Sequence, residues 1–161
     1  MRIRELEIDR FGVWRDVSLP MNTQGPTVLY GPNEAGKSTL LRFIRGVLYG
    51  FRPQDERSPG PQGGPVTCAG SLLLEQGGQD YRLRRVSEAG SRGRLEINGR
   101  RVADDDELVH RLVGGANEAL FTNVFAIGLN ELQQLATLNG EDVARHIYGL
   151  SLGSDGLRVL K

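Results

Sequence analysis

The chain has 161 residues, 39% of them hydrophobic and 25% charged, and a formal net charge of zero. That length suits about one ordinary domain, and the composition is that of a soluble globular protein rather than of a disordered tail. No apolar run approaches the ~20 residues that span a bilayer, and a single cysteine, Cys68, with two histidines far apart, His110 and His146, excludes a disulfide framework and argues against a cysteine or histidine metal cluster.

The opening, MRIRELEIDRFGVWRDVSL, alternates polar with apolar residues and lacks the continuous apolar segment of a secretory signal. It predicts two short strands around a turn at Gly12, with Ile3, Leu6, Ile8, Val17 and Leu19 facing inward, and a cytoplasmic location. Trp14 reads as packing beside these strands, with stacking on a nucleotide base as the alternative. TVLY, 27–30, predicts a buried strand. The next apolar residues, Leu40, Leu41, Ile44, Val47 and Leu48, fall at helical spacing and predict a helix over Lys37–Tyr49.

The stretch 51–65, with four prolines and three glycines, predicts a flexible surface loop. VTCAGSLLLEQ, QDYRLRRVSEA and RLEINGRRVA then read as an antiparallel meander with a hairpin turn at Asn98 and Gly99. From Asp104 the pattern is helical: acids open DDDELVHRLVGG, which suits the positive end of a helix dipole, and glycines close it. Further helices are expected over 116–125, 130–138 and 141–148, with His110 and His146 as surface or cap residues.

Residues 31–38, GPNEAGKS, match G-x-x-x-x-G-K-[ST]. A polyphosphate needs several backbone N–H groups converging on it, which a compact loop without bulky side chains can offer, and the following helix adds its N-terminal partial positive charge. Gly31 and Gly36 permit that backbone path. The candidate nucleotide-binding residues are therefore Gly31, Pro32, Asn33, Glu34, Ala35, Gly36, Lys37, Ser38 and Thr39. Lys37 is the candidate catalytic cation between the β- and γ-phosphates, the Ser38 hydroxyl the candidate Mg²⁺ ligand, and Thr39 a contact to the α-phosphate. A chance match is easier in a chain with 22 glycines. The context opposes it, because an apolar run enters the loop and a helical pattern leaves it. Lys37 is also the one lysine inside the chain.

GPNEAGKSTLL resembles the first Walker motif of the SMC/RecF-like branch of ABC-type ATPases, which includes the double-strand-break-repair ATPases, and is nearest to their YhaN-like bacterial relatives. MRIRELEIDRFGVWRDVSL is similar to the opening strands of the same group. The resemblance is specific over 1–51 and looser over 70–135. It implies an α/β fold: a P-loop NTPase lobe of ABC/SMC type, with a mixed sheet, an antiparallel β subdomain and C-terminal helices. It further implies ATP and Mg²⁺ as cofactors. The partners it implies are the chain's own C-terminal lobe, reached through a coiled coil in the full protein, a second copy in an ATP-dependent head dimer, DNA, and a nuclease.

Hydrolysis in that group also uses an apolar strand ending in Asp-Glu, which no stretch here supplies. Asn130 and Glu131 in VFAIGLNELQQL come nearest, but an amide is a poorer magnesium ligand than a carboxylate. By resemblance that stretch fits the Q-loop region, with Asn130 in the neighbourhood and Gln133 and Gln134 a few residues late. LSLGSDGLRVL, 150–160, partly resembles the group's signature motif and also reads as a Gly/Ser turn after a helix. The expectation is an N-terminal piece, 1–161, of a longer ATPase that by itself binds ATP weakly and hydrolyses little.

Charge is unevenly spread: between positions 52 and 101 nine arginines face six acids, whereas from Asp104 onward nine acids face four basic residues. Arg82, Arg84, Arg85, Arg94, Arg100 and Arg101, with Arg92 beside them, could contact DNA phosphates without reading sequence. The plainer reading is a solvated sheet face balanced by Asp80, Glu88 and Glu96. Three functions compete: an SMC/RecF-like ATPase head acting in DNA repair or recombination, a transporter-type ATPase subunit, and a regulatory module that holds nucleotide without turnover.

Overall fold

The alternation of the first twenty residues becomes a hairpin of β1 (Arg2–Phe11) and β2 (Trp14–Pro20), paired from Glu5 with Pro20 to Phe11 with Trp14. Gly12, at φ 56°, and Val13 form its two-residue turn. Positive φ at the first central position is the hand that matches strand twist, and glycine adopts it without strain. The coordinates are a computed structural model; the described residues are 1–22, 24–52, 55, 67–88, 91–103, 107–122 and 126. The chain divides into two compact units, Met1–Gly115 and Ala116–Lys161.

In the first unit the expected meander is present as β3 (Ala69–Gln76), β4 (Gln79–Val86), β5 (Arg94–Ile97) and β6 (Arg100–Val102). With the hairpin they make one six-stranded sheet in the order β2-β1-β3-β4-β5-β6, every neighbouring pair antiparallel. Asn98 and Gly99 both take positive φ, 50° and 77°, the geometry for which an Asn-Gly pair is suited.

One face of the sheet carries α1 (Lys37–Tyr49), ended by Gly50 at φ 111°. Leu40, Phe43, Val47 and Leu48 are buried on it, against Leu6, Ile8 and Phe11 of β1 and Leu72 and Leu74 of β3. Phe43, absent from the expected set, is fully buried. Its ring crosses β3 at Gly70, where a Cβ would lie 2.6 Å from the ring edge. It meets Phe11 edge-on at 5.5 Å between centroids, and Phe51 stands 5.5 Å from Phe11. Val109 and Leu112 are the buried residues of α2 (Glu107–Leu112).

The other face of the sheet is polar. Glu5, Glu7 and Asp9 of β1 look across β3 to Arg82 and Arg84 of β4. Arg82 donates to Glu7, and the hydroxyl of Ser71, between them on β3, donates to Glu7 at 2.6 Å. Ser71's hydrogen bond holds the Glu7 carboxyl below the usual carboxylate range, the Arg82 and Arg84 charges adding to it against the opposing effect of burial. A depressed folded-state pKa contributes stability that is present above the unfolded pKa and lost as pH falls through the folded one. Glu7→Gln is therefore expected to flatten the loss of stability below the ordinary carboxylate range, read as urea midpoints between neutral and acid pH.

Three expectations change. First, 27–30 is not a strand: Val28, Leu29 and Tyr30 are 84%, 44% and 97% exposed. An apolar run becomes a buried strand only where neighbours complete its hydrogen-bond ladder and cover its faces, and no strand of the described residues pairs with it. Second, the loop 51–65 is anchored where it is described. Phe51 and Asp55 are 3% and 5% exposed; Asp55 accepts from Arg52 N–H at 2.9 Å and, through its carbonyl, from the Cys68 thiol at 3.4 Å. Pro/Gly content predicts backbone freedom but not where a flanking aromatic finds a hole. Third, Arg85, placed among the DNA-facing arginines, is buried at 1% exposure. The period-two rule does put it opposite Arg82 and Arg84, and that opposite face is the one α1 covers. In the second unit Glu118–Leu120 is helical (α3), capped by the Asn117 side chain, which accepts from Leu120 N–H at 2.8 Å. The expected helices over 130–138 and 141–148 lie outside the described residues.

Candidate functional site

The loop 31–36 closes on itself before α1 begins. Ala35 N–H donates to Pro32 O at 3.3 Å, and Leu40 N–H makes the first intrahelical bond, to Gly36 O at 3.0 Å. The N–H groups of Lys37, Ser38 and Thr39 precede that bond, so they belong to the first turn, whose donors have no partner within the helix. α1 has no side-chain cap and no acid in its first turn. The positive end of its dipole is thus uncompensated by any carboxylate of its own first turn.

Backbone hand shapes the approach. Glu34 is left-handed at φ 66°, Gly36 at φ 88° and ψ 11°, and Ala35 between them is not. Alternating hand in successive residues curls their N–H groups into a concavity that suits an anion. Lys37 folds back over it: its ammonium donates to Gly31 O at 2.8 Å and Pro32 O at 2.7 Å. An ammonium carries three donors, so two close the loop and one remains to serve a ligand. Lys37 and Ser38 are exposed and Thr39 half-buried. The donor set therefore fits a polyphosphate: amides at an uncapped helix start, one cation, and a hydroxyl at Ser38 for a hard metal ion.

Gly31, Pro32, Asn33, Glu34, Ala35, Gly36, Lys37, Ser38 and Thr39 form the closed loop and the first turn of α1. Two residues absent from that set touch it. The Trp14 indole N–H donates to Gly36 O at 3.3 Å, and a Cβ on Gly36 would meet the indole Nε1 at 2.8 Å. A Cβ on Gly12 would meet the Thr39 methyl at 2.7 Å. No spacing rule links positions 12 and 14 to a loop some twenty residues on; the contact exists because the hairpin and α1 pack on the same sheet.

The other candidates separate from the loop. Arg82 and Arg84 are engaged by Glu7 and Asp9, Arg94 by Glu96 at 3.1 Å and Glu88 at 3.5 Å, and Arg101 lies 4.0 Å from Glu88. Arg92 donates to Tyr49 O at 3.4 Å. Arg100 is exposed, as is His110. Asn130, Glu131, Gln133, Gln134, His146 and the stretch 150–160 lie outside the described residues. Among the described residues no group of three or more His, Cys, Asp or Glu could hold a metal ion, and no helix is long and apolar enough to cross a membrane.

Comparison with known proteins agrees with this architecture. A family model described as an AAA domain matches residues 1–160. The chain is similar to the uncharacterized protein YhaN of Bacillus subtilis, 22% identical over 157 residues; the match covers 94% of this chain and 16% of that protein's length. Among solved structures it is similar to a chain from work on ATP-driven dimerization and DNA-stimulated activation of SMC ATPases, with a TM-score of 0.69 and 18% identity over 92% of this chain and 98% of that one. It also resembles an SMC head domain from Thermotoga maritima, with a TM-score of 0.55 and 22% identity over 66% of this chain and 41% of that one. The α/β class with its antiparallel sheet is the fold of these SMC heads.

Proposed function

The chain belongs to the AAA domain family, and from that premise we propose that 31–39 binds the triphosphate of Mg·ATP as one side of an ATPase site in an SMC-like head. The carrying observation is the uncapped, acid-free start of α1 behind a loop of alternating hand, with Lys37 folded across it. In this reading the amides of 36–39 hold phosphate oxygens, Lys37 sits between the β- and γ-phosphates, Ser38 ligates Mg²⁺ and Thr39 touches the α-phosphate. The metal, when bound, supplies charge neutralisation between phosphate oxygens.

Turnover in this reading needs a further lobe of the same protein. Val28, Leu29 and Tyr30, apolar and exposed immediately before the loop, support that, because such a run is a core strand once neighbours flank it. The chain spans about a sixth of its curated relative's length, which leaves room for such a lobe and a coiled coil. ATP-dependent pairing with a second copy, work on DNA in repair or recombination and a nuclease partner follow from the SMC-like reading. For DNA contact exposed Arg100, and Arg101 with its long 4.0 Å approach to Glu88, are better placed than Arg82, Arg84 and Arg94, which are closely paired with carboxylates.

Titration of the chain with Mg·ATP and Mg·GTP by calorimetry, with phosphate release recorded in the same samples, tests the reading. ATP binding with negligible release is expected. Absence of binding would overturn the assignment of the loop, and sustained release would place the whole catalytic apparatus within these 161 residues and overturn the half-site.

A further inference from the structure

We propose that Trp14 is a positioning residue of the phosphate loop: its indole N–H fixes the Gly36–Lys37 peptide so that the Lys37 amide points out of the start of α1. This rests on the nucleotide reading for its purpose but not for its geometry. The Gly36 carbonyl accepts two hydrogen bonds, one from Leu40 N–H at 3.0 Å and one from the Trp14 indole at 3.3 Å. Both lone pairs of that oxygen are then engaged and its direction is set. In a trans peptide the C=O and the next N–H point oppositely, and no cis peptide occurs among the described residues. Holding the carbonyl toward the helix and the indole therefore aims the Lys37 N–H away from both, where an anion at the helix start would lie.

Sterics act in the same sense. Gly36 sits at φ 88°, a conformation a residue with a Cβ rarely adopts, and the indole lies where that Cβ would be, 2.8–3.0 Å from its position. The glycine thus has two reasons to be glycine, one of which is Trp14. The indole is itself held by the hairpin: Trp14 pairs with Phe11 across the Gly12 turn, and Phe11 is fully buried against Phe43 of α1. Gly12 fits over the Thr39 methyl. The hairpin tip thereby touches the loop at both ends of its last four residues, and through Phe11 the core transmits its rigidity to the loop.

Trp14 is the sole tryptophan of the chain, which gives a direct readout. Trp14→Phe keeps an aromatic ring and removes the donor. Amide exchange of Leu40, whose N–H shares the Gly36 carbonyl with the indole, should rise about fivefold in the variant without nucleotide, the worth of one neutral hydrogen bond, while exchange in β1 and β3 stays unchanged. Mg·ATP and Mg·tripolyphosphate should bind the variant about fivefold more weakly. In the unmodified chain tripolyphosphate should shift Trp14 emission, and Lys37→Ala should abolish that shift. Unchanged Leu40 exchange in Trp14→Phe would overturn the proposal, as would a rise spread equally over β1 and β3, which would mean general loosening. Failure of the unmodified chain to bind either ligand, with the Leu40 exchange difference present, would sustain the positioning role and overturn the nucleotide reading instead.

Discussion

Replacing Lys37 by alanine is expected to weaken Mg·ATP binding by about 30- to 1,000-fold while leaving the fold intact. A hydrogen bond to a charged group contributes about 1.5–3 kcal/mol, and the lysine's remaining donor is placed to make one to a phosphate oxygen, so with the loss of its loop closure about 2–4 kcal/mol goes. The ammonium's bonds to the Gly31 and Pro32 carbonyls also go, which loosens the loop before any ligand arrives. Because Lys37 is exposed, the stability cost should stay near 1 kcal/mol. Lys37→Arg separates charge from shape: a planar fork is wider than an ammonium and cannot sit between the same two carbonyls, so it should bind nearly as poorly as alanine. Calorimetry beside a urea titration reads both quantities. Equal affinity in Lys37→Ala and the unmodified chain would remove 31–39 as the binding loop.

Replacing Arg85 by alanine should produce the largest loss of stability, about 3–5 kcal/mol, out of the 5–15 kcal/mol that holds an ordinary domain together. The buried guanidinium donates to Val47 O of α1 at 3.0 Å, to Gly93 O at 3.1 Å and to Arg92 O at 3.3 Å. It therefore ties the end of α1 to the turn that enters β5. Truncation leaves those carbonyls without that donor in a dry environment and opens a cavity where the stem packed. Arg85→Lys should recover less than half of the loss, since one ammonium cannot reach carbonyls on two elements in the directions a guanidinium spans. The readout is the urea midpoint at unchanged slope. A shift under about 1 kcal/mol would show that the neighbouring groups re-form their bonds without Arg85. ATP affinity is expected to follow stability only weakly, because the loop lies at the opposite end of α1 from Val47.

The elements legible in the sequence are those whose cause is local. Alternation at Leu6 and Ile8, the Gly12 turn, the Asn98 and Gly99 hairpin and the helical spacing from Leu40 to Leu48 each act over a few residues, and each appears in the structure as expected, with a register shift between Ile3 and Glu5 that the pattern did not signal. The loop 31–39 stands out in the sequence for the same reason, since glycines, lysine and hydroxyls stand in one short run, and its binding of nucleotide rests on the proposal above. The stretch 27–30 departs from expectation because burial is a property of neighbours; Val28, Leu29 and Tyr30 are core or surface according to what lies beside them. Arg85 was misread because an arginine at a strand position states its face but not whether that face is covered.

The sequence by itself determined the strands, the helix and the chemical donors of the loop, because torsional preference, side-chain periodicity and the motif's spacing all operate along the chain. Only the tertiary structure decided that Glu7 and Asp9 take up Arg82 and Arg84, that Arg85 goes inward, and that Trp14 stands against Gly36. Those contacts join residues 22 to 75 positions apart, and they are set by which sheet face α1 covers, a choice made by burying Phe11, Phe43 and the leucines of β1 and β3 together rather than by any one segment.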